Sequence, residues 1–293
     1  MAFLKLIRYK NLFMVLLTMV LTKYALIHSL IGKTYLSNLD FSILVLSVLL
    51  ITAGGYIIND IYDIETDRVN KPNKVFINNN ISKKNAWSYY HIFSLIGLFL
   101  STYLTYKNLE VFHFLYFLGT VLLLFIYSKF LKQQVLIGNL IIAFFCSLII
   151  WITYSFNGLM FANKMVFFII ISYILFSFST TLIREIIKDI EDINGDLKIK
   201  AKTLPIIIGR KRASKVAFFF TSFLLIFLLI VLQYLKNKHL FLGYGIVFIL
   251  LPLLYFMYKL WFAETKEDFS KLSSLMKIIM LFGILSMLLF KFI

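Results

Sequence analysis

The chain has 293 residues, 61% of them hydrophobic, and mean hydropathy is +0.88. Soluble domains are nearer half apolar, so an ordinary soluble globule is excluded and lipid is the expected solvent. A lone cysteine, Cys146, excludes an internal disulfide, and a net charge of +16 reads as basic flanks of membrane spans that favour anionic headgroups, with no nucleic-acid partner.

Runs of about 20 mostly apolar residues mark bilayer crossings. Nine are expected, at residues 11–31, 40–60, 88–106, 110–127, 135–156, 165–187, 216–235, 241–258 and 275–291. The expected fold is therefore all-α: a single polytopic membrane domain over residues 1–293. No small-residue cleavage pattern follows the first run, which reads as a retained span, not a signal peptide. Lys23 and His28 are its charged exceptions, Lys23 snorkelling or lining a cavity. Cys146 falls mid-span and reads as a small buried apolar residue. Pro252 lies inside the eighth span, where a kink is expected.

Nine spans put the N-terminus and the 2–3, 4–5, 6–7 and 8–9 loops on one side. By these boundaries that side carries 22 Lys and Arg, against 6 on the other. The asymmetry makes the first side, including the N-terminus, cytoplasmic. The chain is expected in the cell's inner or plasma membrane.

Nine of the 14 acidic residues fall in two stretches at the ends of spans 2 and 6: Asp60, Asp63, Glu65 and Asp67, then Glu185, Asp189, Glu191, Asp192 and Asp196. "DIYDIETD" begins at Asp60 and "DIEDINGD" at Asp189, and the two align without a gap. Four helices separate them, so both face the cytoplasm, and an internal four-helix repeat is expected. Asp60, Asp63 and Asp67 are spaced i, i+3, i+7, as on one helix face, and so are Asp189, Asp192 and Asp196. Asn59 joins the first face. Glu65 and Glu191 lie off these faces and read as local salt-bridge partners. Three carboxylates on one face repel, and at a helix C-terminus the macrodipole adds to the cost. A bound cation would offset both. Oxygen-only ligands select a hard ion such as Mg²⁺, which takes one or two carboxylates plus phosphate oxygens. A solvated helix end bridged by Arg68, Lys71, Lys188 and Lys198 would explain one such string; two copies with one spacing favour a metal site. Lys132, and Arg184 with Lys188 one turn apart, are the candidate phosphate-binding cations.

"NDIYDIETDRVNKP" resembles the NDxxDxxxD motif of UbiA-type intramembrane prenyltransferases, and "REIIKDIEDINGDLKIKAKTLP" resembles their second, DxxDxxxD-like motif. The resemblance spans essentially the whole chain. It implies nine helices around a central cavity and two Mg²⁺ ions clamping the diphosphate of a polyprenyl donor. Carried across, the metal residues are Asn59, Asp60, Asp63, Asp67, Asp189, Asp192 and Asp196. Catalysis would involve Asp63, Asp67, Asp192, Asp196, Lys132 and Tyr127, the last matching a tyrosine at the end of helix 4. Substrate-binding residues would be Asn11, Arg68, Lys132, Asn139, Arg184 and Lys188. Many members follow the first motif with an Arg-Pro-x-Pro-x-Gly loop; "NKPNKVFINNNIS" stands here instead, with Lys74 as the expected substitute.

The implied chemistry is Mg²⁺-assisted loss of pyrophosphate, then attack by an acceptor on the allylic cation. The second motif most resembles the branch that prenylates geranylgeranylglyceryl phosphate, so a phospholipid-precursor acceptor is expected. An aromatic acceptor of quinone-type biosynthesis is the alternative. From a different class, a divalent-cation transporter would want acids near the bilayer centre and broken helices there.

Overall fold

The computed structural model describes residues 2–70, 72, 75–108, 111–157 and 163–292. Among them the chain is helical, without a β-strand. The helices are α1 (Ala2–Leu6), α2 (Tyr9–Ile31), α3 (Asn38–Tyr62), α4 (Ile64–Asn70), α5 (Lys83–Lys107), α6 (Phe114–Lys129), α7 (Ile137–Asn157), α8 (Lys164–Lys198), α9 (Leu204–Ile208), α10 (Arg210–Tyr234), α11 (His239–Trp261) and α12 (Lys266–Phe292). A π-helical stretch interrupts α2 at Thr22–Ile27 and α11 at Gly245–Leu250, just ahead of Pro252.

Each expected span falls on one of these helices. Among the described residues seven helices, α2, α3, α7, α8, α10, α11 and α12, are long and apolar enough to cross a bilayer. The spans expected at 88–106 and 110–127 fall on α5 and α6, outside that set. α5 opens with the polar turns "KKNAWSYYH", which dilute its apolar content. α6 has 16 residues, fewer than the roughly 20 of a full crossing.

Side chains punctuate the helices. Ser37 Oγ accepts from the backbone N–H of Asp40 at 3.1 Å and starts α3, and Ser82 Oγ does the same for Asn85 at 3.2 Å and starts α5. Thr265 and Asp268 form a reciprocal capping box at the head of α12. α8 is the exception in length, at 35 residues. At 1.5 Å per residue it is roughly 52 Å long, against a hydrocarbon core of about 30 Å. It overruns the expected span by a further three turns, and those turns carry the second acidic string.

The chain divides into two compact units. The first comprises Met1–Met19, Tyr35–Gln133 and Asn194–Lys200. Its spine is α3, against which α5 and α6 pack. Gly97 of α5 lies on α3, and Ser47 Oγ donates to the Gly97 carbonyl at 2.8 Å. A Cβ at Gly97 would come within 2.7 Å of Ile51 Cγ1. Such close backbone approach is how helices adhere where lipid supplies no hydrophobic drive. At one end of this unit Leu6, Ile57, Ile58, Ile61, Ile77, Ala86 and Tyr90 form a buried apolar cluster.

The second unit comprises Val20–Thr34, Gln134–Ile193 and Ala201–Ile293. Ile183, Ile186, Ile187 and Ile190 of α8 pack in one core with Phe256, Phe269, Met276 and Ile279. Lys23 belongs here. It does not snorkel: it is 0% exposed, within the π-helical stretch of α2, with Nζ 5.0 Å from the centre of the Tyr24 ring.

Candidate active site

The first acidic string lies where α3 gives way to α4. Asp63 is the C-cap of α3, at φ −95° and ψ 3°, and α4 restarts at Ile64. The face expected of one unbroken helix is thus interrupted at Asp63. The register survives, because Asp63 N donates to Asn59 O at 2.9 Å and Asp67 N to Asp63 O at 2.8 Å.

Cations and an amide hold these acids. Asp60 Oδ1 accepts from Arg8 Nη2 at 2.7 Å. Asp63 Oδ1 accepts from Lys132 Nζ at 2.6 Å, and Asp63 Oδ2 from Asn59 Nδ2 at 2.6 Å. Lys132 sits in a short 3₁₀ turn after α6, with its side chain only 10% exposed. The other amide atom, Asn59 Oδ1, is buried without a hydrogen-bond partner. An unsatisfied buried acceptor costs about 1–3 kcal/mol, and a cation would relieve it. Among the described residues no three His, Cys, Asp or Glu side chains form a closed metal cage. Mg²⁺ does not need one, since it keeps waters and shares phosphate oxygens. The residues present therefore fit a hard cation.

Arg8 was not foreseen from sequence. It sits between α1 and α2 in the left-handed region, at φ 51°. Its carbonyl accepts from Asn11 N at 2.7 Å and Leu12 N at 3.2 Å. Left-handed backbone costs a non-glycine residue about 1–2 kcal/mol, a strain typical of functional positions. Its Cζ lies 5.0 Å from the centre of the Tyr56 ring, one turn before Asp60. Burial disfavours the guanidinium charge, but Asp60, then Tyr56 and Asp63, outweigh it and hold the proton more tightly than usual. The only local hint was a basic residue opening a span, a common topology signal.

The other expected residues of this unit lie on three further elements. Asn11 lies in the first turn of α2 and Tyr127 in the last turns of α6, both half-buried. Arg68 is exposed on α4. Lys74 lies outside the described residues.

The second string runs on unbroken helix, so Asp189, Asp192 and Asp196 keep the expected common face. In the second unit, Asn139 Nδ2 donates to Asp189 Oδ2 at 2.8 Å, which joins two expected site residues. Arg184 and Lys188 both pair with Glu185, at 2.9 and 3.0 Å. Glu185 is one of the nine clustered acids, but its pairing with these two cations was not read from the sequence. The end of the string returns to the first unit. There Gly195 N donates to Asn70 Oδ1 at 2.9 Å, tying the helical turn that carries Asp196 to α4, which carries Asp67. Gly195 is required at this contact, because an added Cβ would overlap Asn70 Nδ2.

These features define a polytopic helical membrane protein with a cation-paired, oxygen-rich site at the end of an apolar helix. The model of the UbiA prenyltransferase family matches residues 11–281. The chain belongs to that family. It is 36% identical over 264 residues, 89% of this chain and 90% of the relative, to a Methanosphaera stadtmanae protein named digeranylgeranylglyceryl phosphate synthase. A solved structure from a study of digeranylgeranylglyceryl phosphate synthase in membranes superposes with a TM-score of 0.67, at 26% identity and 98% coverage of both chains. A UbiA homologue from Archaeoglobus fulgidus, bound to DMAPP and Mg²⁺, shares the fold with a TM-score of 0.59 at 18% identity, over 98% of this chain and 99% of that one.

Proposed function

We propose that this chain is a magnesium-dependent prenyltransferase that moves a geranylgeranyl group from its diphosphate to geranylgeranylglyceryl phosphate, releasing pyrophosphate. The observation that carries the reading is the cluster Asn59–Asp63–Lys132 beside Asp60, in a chain of this family. The donor and acceptor follow from the names of its relatives and from the second motif. The bound Mg²⁺ and prenyl diphosphate of the Archaeoglobus homologue support the cofactor.

Asn59, Asp60, Asp63 and Asp67, with Asp189, Asp192 and Asp196, are the residues proposed to hold Mg²⁺. When bound, the metal would neutralise charge developing on the leaving pyrophosphate. Lys132 is proposed to add a fixed positive charge for the same oxygens. Asn59 orients Asp63 through an amide N–H and leaves its buried carbonyl oxygen without a hydrogen-bond partner. Tyr127 is proposed to offer a π face to the allylic cation. Asn139 fixes the rotamer of Asp189. Asn11, Arg68, Arg184 and Lys188 are proposed substrate contacts, the last two tempered by Glu185. In the reaction the C1–O bond of the donor breaks, the acceptor hydroxyl oxygen forms the new ether bond, and its proton leaves.

We further propose that all nine helical segments cross the membrane, with the N-terminus and both acidic strings facing the cytoplasm. The distribution of Lys and Arg supports this orientation.

The test is a membrane assay with labelled geranylgeranyl diphosphate and geranylgeranylglyceryl phosphate. Mg²⁺-dependent pyrophosphate release and a doubly prenylated lipid are expected, both lost in Asp63→Ala and Asp192→Ala. Turnover with an aromatic acid only would move the acceptor to a quinone-type pathway. Cation flux without pyrophosphate would refute the enzyme reading.

A further inference from the structure

We propose that Arg8 is a tethered counter-ion of Asp60 that competes with the metal for this carboxylate, so that Mg²⁺ loads fully only when a diphosphate arrives to take the guanidinium. The inference rests on the reading of Asp60 as a metal ligand.

Three observations converge on Arg8. Its Nη2 is 2.7 Å from Asp60 Oδ1, the first carboxylate of the string. Its backbone is held in the left-handed region, a conformation the surrounding packing has to enforce. Two residues earlier Leu6 is fully buried with Ile57, Ile58 and Ile61, and Phe3 sits edge-on to Tyr89 and Phe93 at 5.2 and 6.1 Å. Helix α1 thus serves as an anchor that sets the guanidinium over the turn of α3 bearing Tyr56 and Asp60.

The charges then dictate competition. A guanidinium on one oxygen of a carboxylate and a divalent cation on the other would sit a few ångströms apart in a partly desolvated site, and like charges repel there. Ligation of Mg²⁺ by Asp60 therefore requires Arg8 to swing away. The side chain has room to do so, since it is 36% exposed while Asp60 is 13% exposed. When only a fraction of the protein presents a free Asp60, the apparent metal dissociation constant rises by the inverse of that fraction. A diphosphate removes this penalty, because its oxygens match the guanidinium fork. Metal and diphosphate thereby reinforce one another, and by linkage the effect is reciprocal.

Lys132 on Asp63 does not have the same freedom. It is itself nearly buried, and its ammonium lacks the planar fork. The tethered, strained and more exposed cation is Arg8.

The experiment follows thermal unfolding of the detergent-purified protein against buffered free Mg²⁺, with and without inorganic pyrophosphate. Arg8→Gln is expected to lower the Mg²⁺ midpoint without pyrophosphate by about tenfold, the scale of an ordinary site–site coupling. Pyrophosphate is expected to lower the wild-type midpoint strongly and that of Arg8→Gln little. Arg8→Lys, which keeps the charge but not the fork, should fall between them and serves if the glutamine variant does not fold. Lys10→Gln removes the same charge from an exposed neighbour and should track the wild type. An unchanged or raised midpoint in Arg8→Gln, or an equal shift in Lys10→Gln, overturns the proposal. Asp63→Asn separates the premise from the inference. If Asp63→Asn retains the full Mg²⁺ response, the acids are not the metal ligands. If it abolishes the response while Arg8→Gln leaves the midpoint unmoved, the metal site stands and only the role of Arg8 fails.

Discussion

Lys132 Nζ and Asn59 Nδ2 take one oxygen each of Asp63, at 2.6 Å in both cases. A carboxylate so held has little rotational freedom, and the nearly buried ammonium lies in surroundings where its charge is poorly screened. Lys132→Gln should therefore reduce kcat by about 10²–10³-fold, the usual loss when one preorganised donor is removed. Lys132→Arg should retain part of the rate. Steady-state kinetics with saturating donor would check this, and an unchanged kcat would remove Lys132 from the chemistry. Asn59 and Asp63 were legible beforehand because motif spacing is local information, whereas Lys132, 69 residues from Asp63, was legible as a candidate phosphate-binding cation and not as the partner of Asp63. Arg8 and Asn70 were not, because their partners lie 52 and 125 residues away and no spacing in the sequence links either to its partner. The Asn70–Gly195 contact makes its own prediction. Gly195→Ala should destabilise by roughly 1–3 kcal/mol through overlap with the amide. In an Asn70→Ala background most of that cost should vanish, since the obstructing group is gone. Additive losses of melting temperature across the two single variants and the double variant would show that the two residues do not interact.

At the level of elements, hydrophobic runs located every long helix, because a helix that meets lipid must be apolar over most of its length. Ends were harder. The sixth span was expected to stop near residue 187, yet α8 continues to Lys198. Polarity marks where a helix leaves lipid, not where it stops hydrogen-bonding. Conversely, the first acidic string was expected on one helix and is divided at Asp63, a tertiary outcome that the i, i+3, i+7 spacing cannot reveal. Contact between helices is set by small residues. Gly97→Val on α5 would drive a branched side chain into Ile51 and the Ser47 carbonyl, whose oxygen lies 3.2 Å from the ideal Cβ position. Backbone cannot yield as a flexible side chain does. The expected cost is about 1–3 kcal/mol, read as a lower melting temperature in detergent. Proteolytic accessibility of the α3–α5 connection should rise in parallel.

Across the whole molecule, the proposed topology turns on α5 and α6 crossing the bilayer as a pair. Their composition argues both ways. α5 has 25 residues, ample length, but its first turns are polar; α6 is apolar throughout, but has 16 residues. Two facts favour crossing. A 3₁₀ turn extends α6 at each end, at Val111–His113 and Leu131–Gln133. At the far end of α5, Lys107 Nζ bonds Asp40 Oδ1 at 2.7 Å, beside the start of α3. Thus α5 runs antiparallel to α3 over its full length, and if α3 crosses, so does α5. In a Cys146→Ser background, single cysteines can decide the matter with a membrane-impermeant thiol reagent on right-side-out vesicles. Lys33→Cys, in the loop after α2, and Asn108→Cys, after α5, should label in intact vesicles. Lys84→Cys and Lys211→Cys should label only after permeabilisation. If Asn108→Cys behaves like Lys84→Cys, the α5–α6 pair does not cross. If all four sites exchange sides, the orientation inferred from Lys and Arg is reversed and the acidic strings face away from the cytoplasm, where a phosphorylated acceptor would have to be supplied from outside the cell.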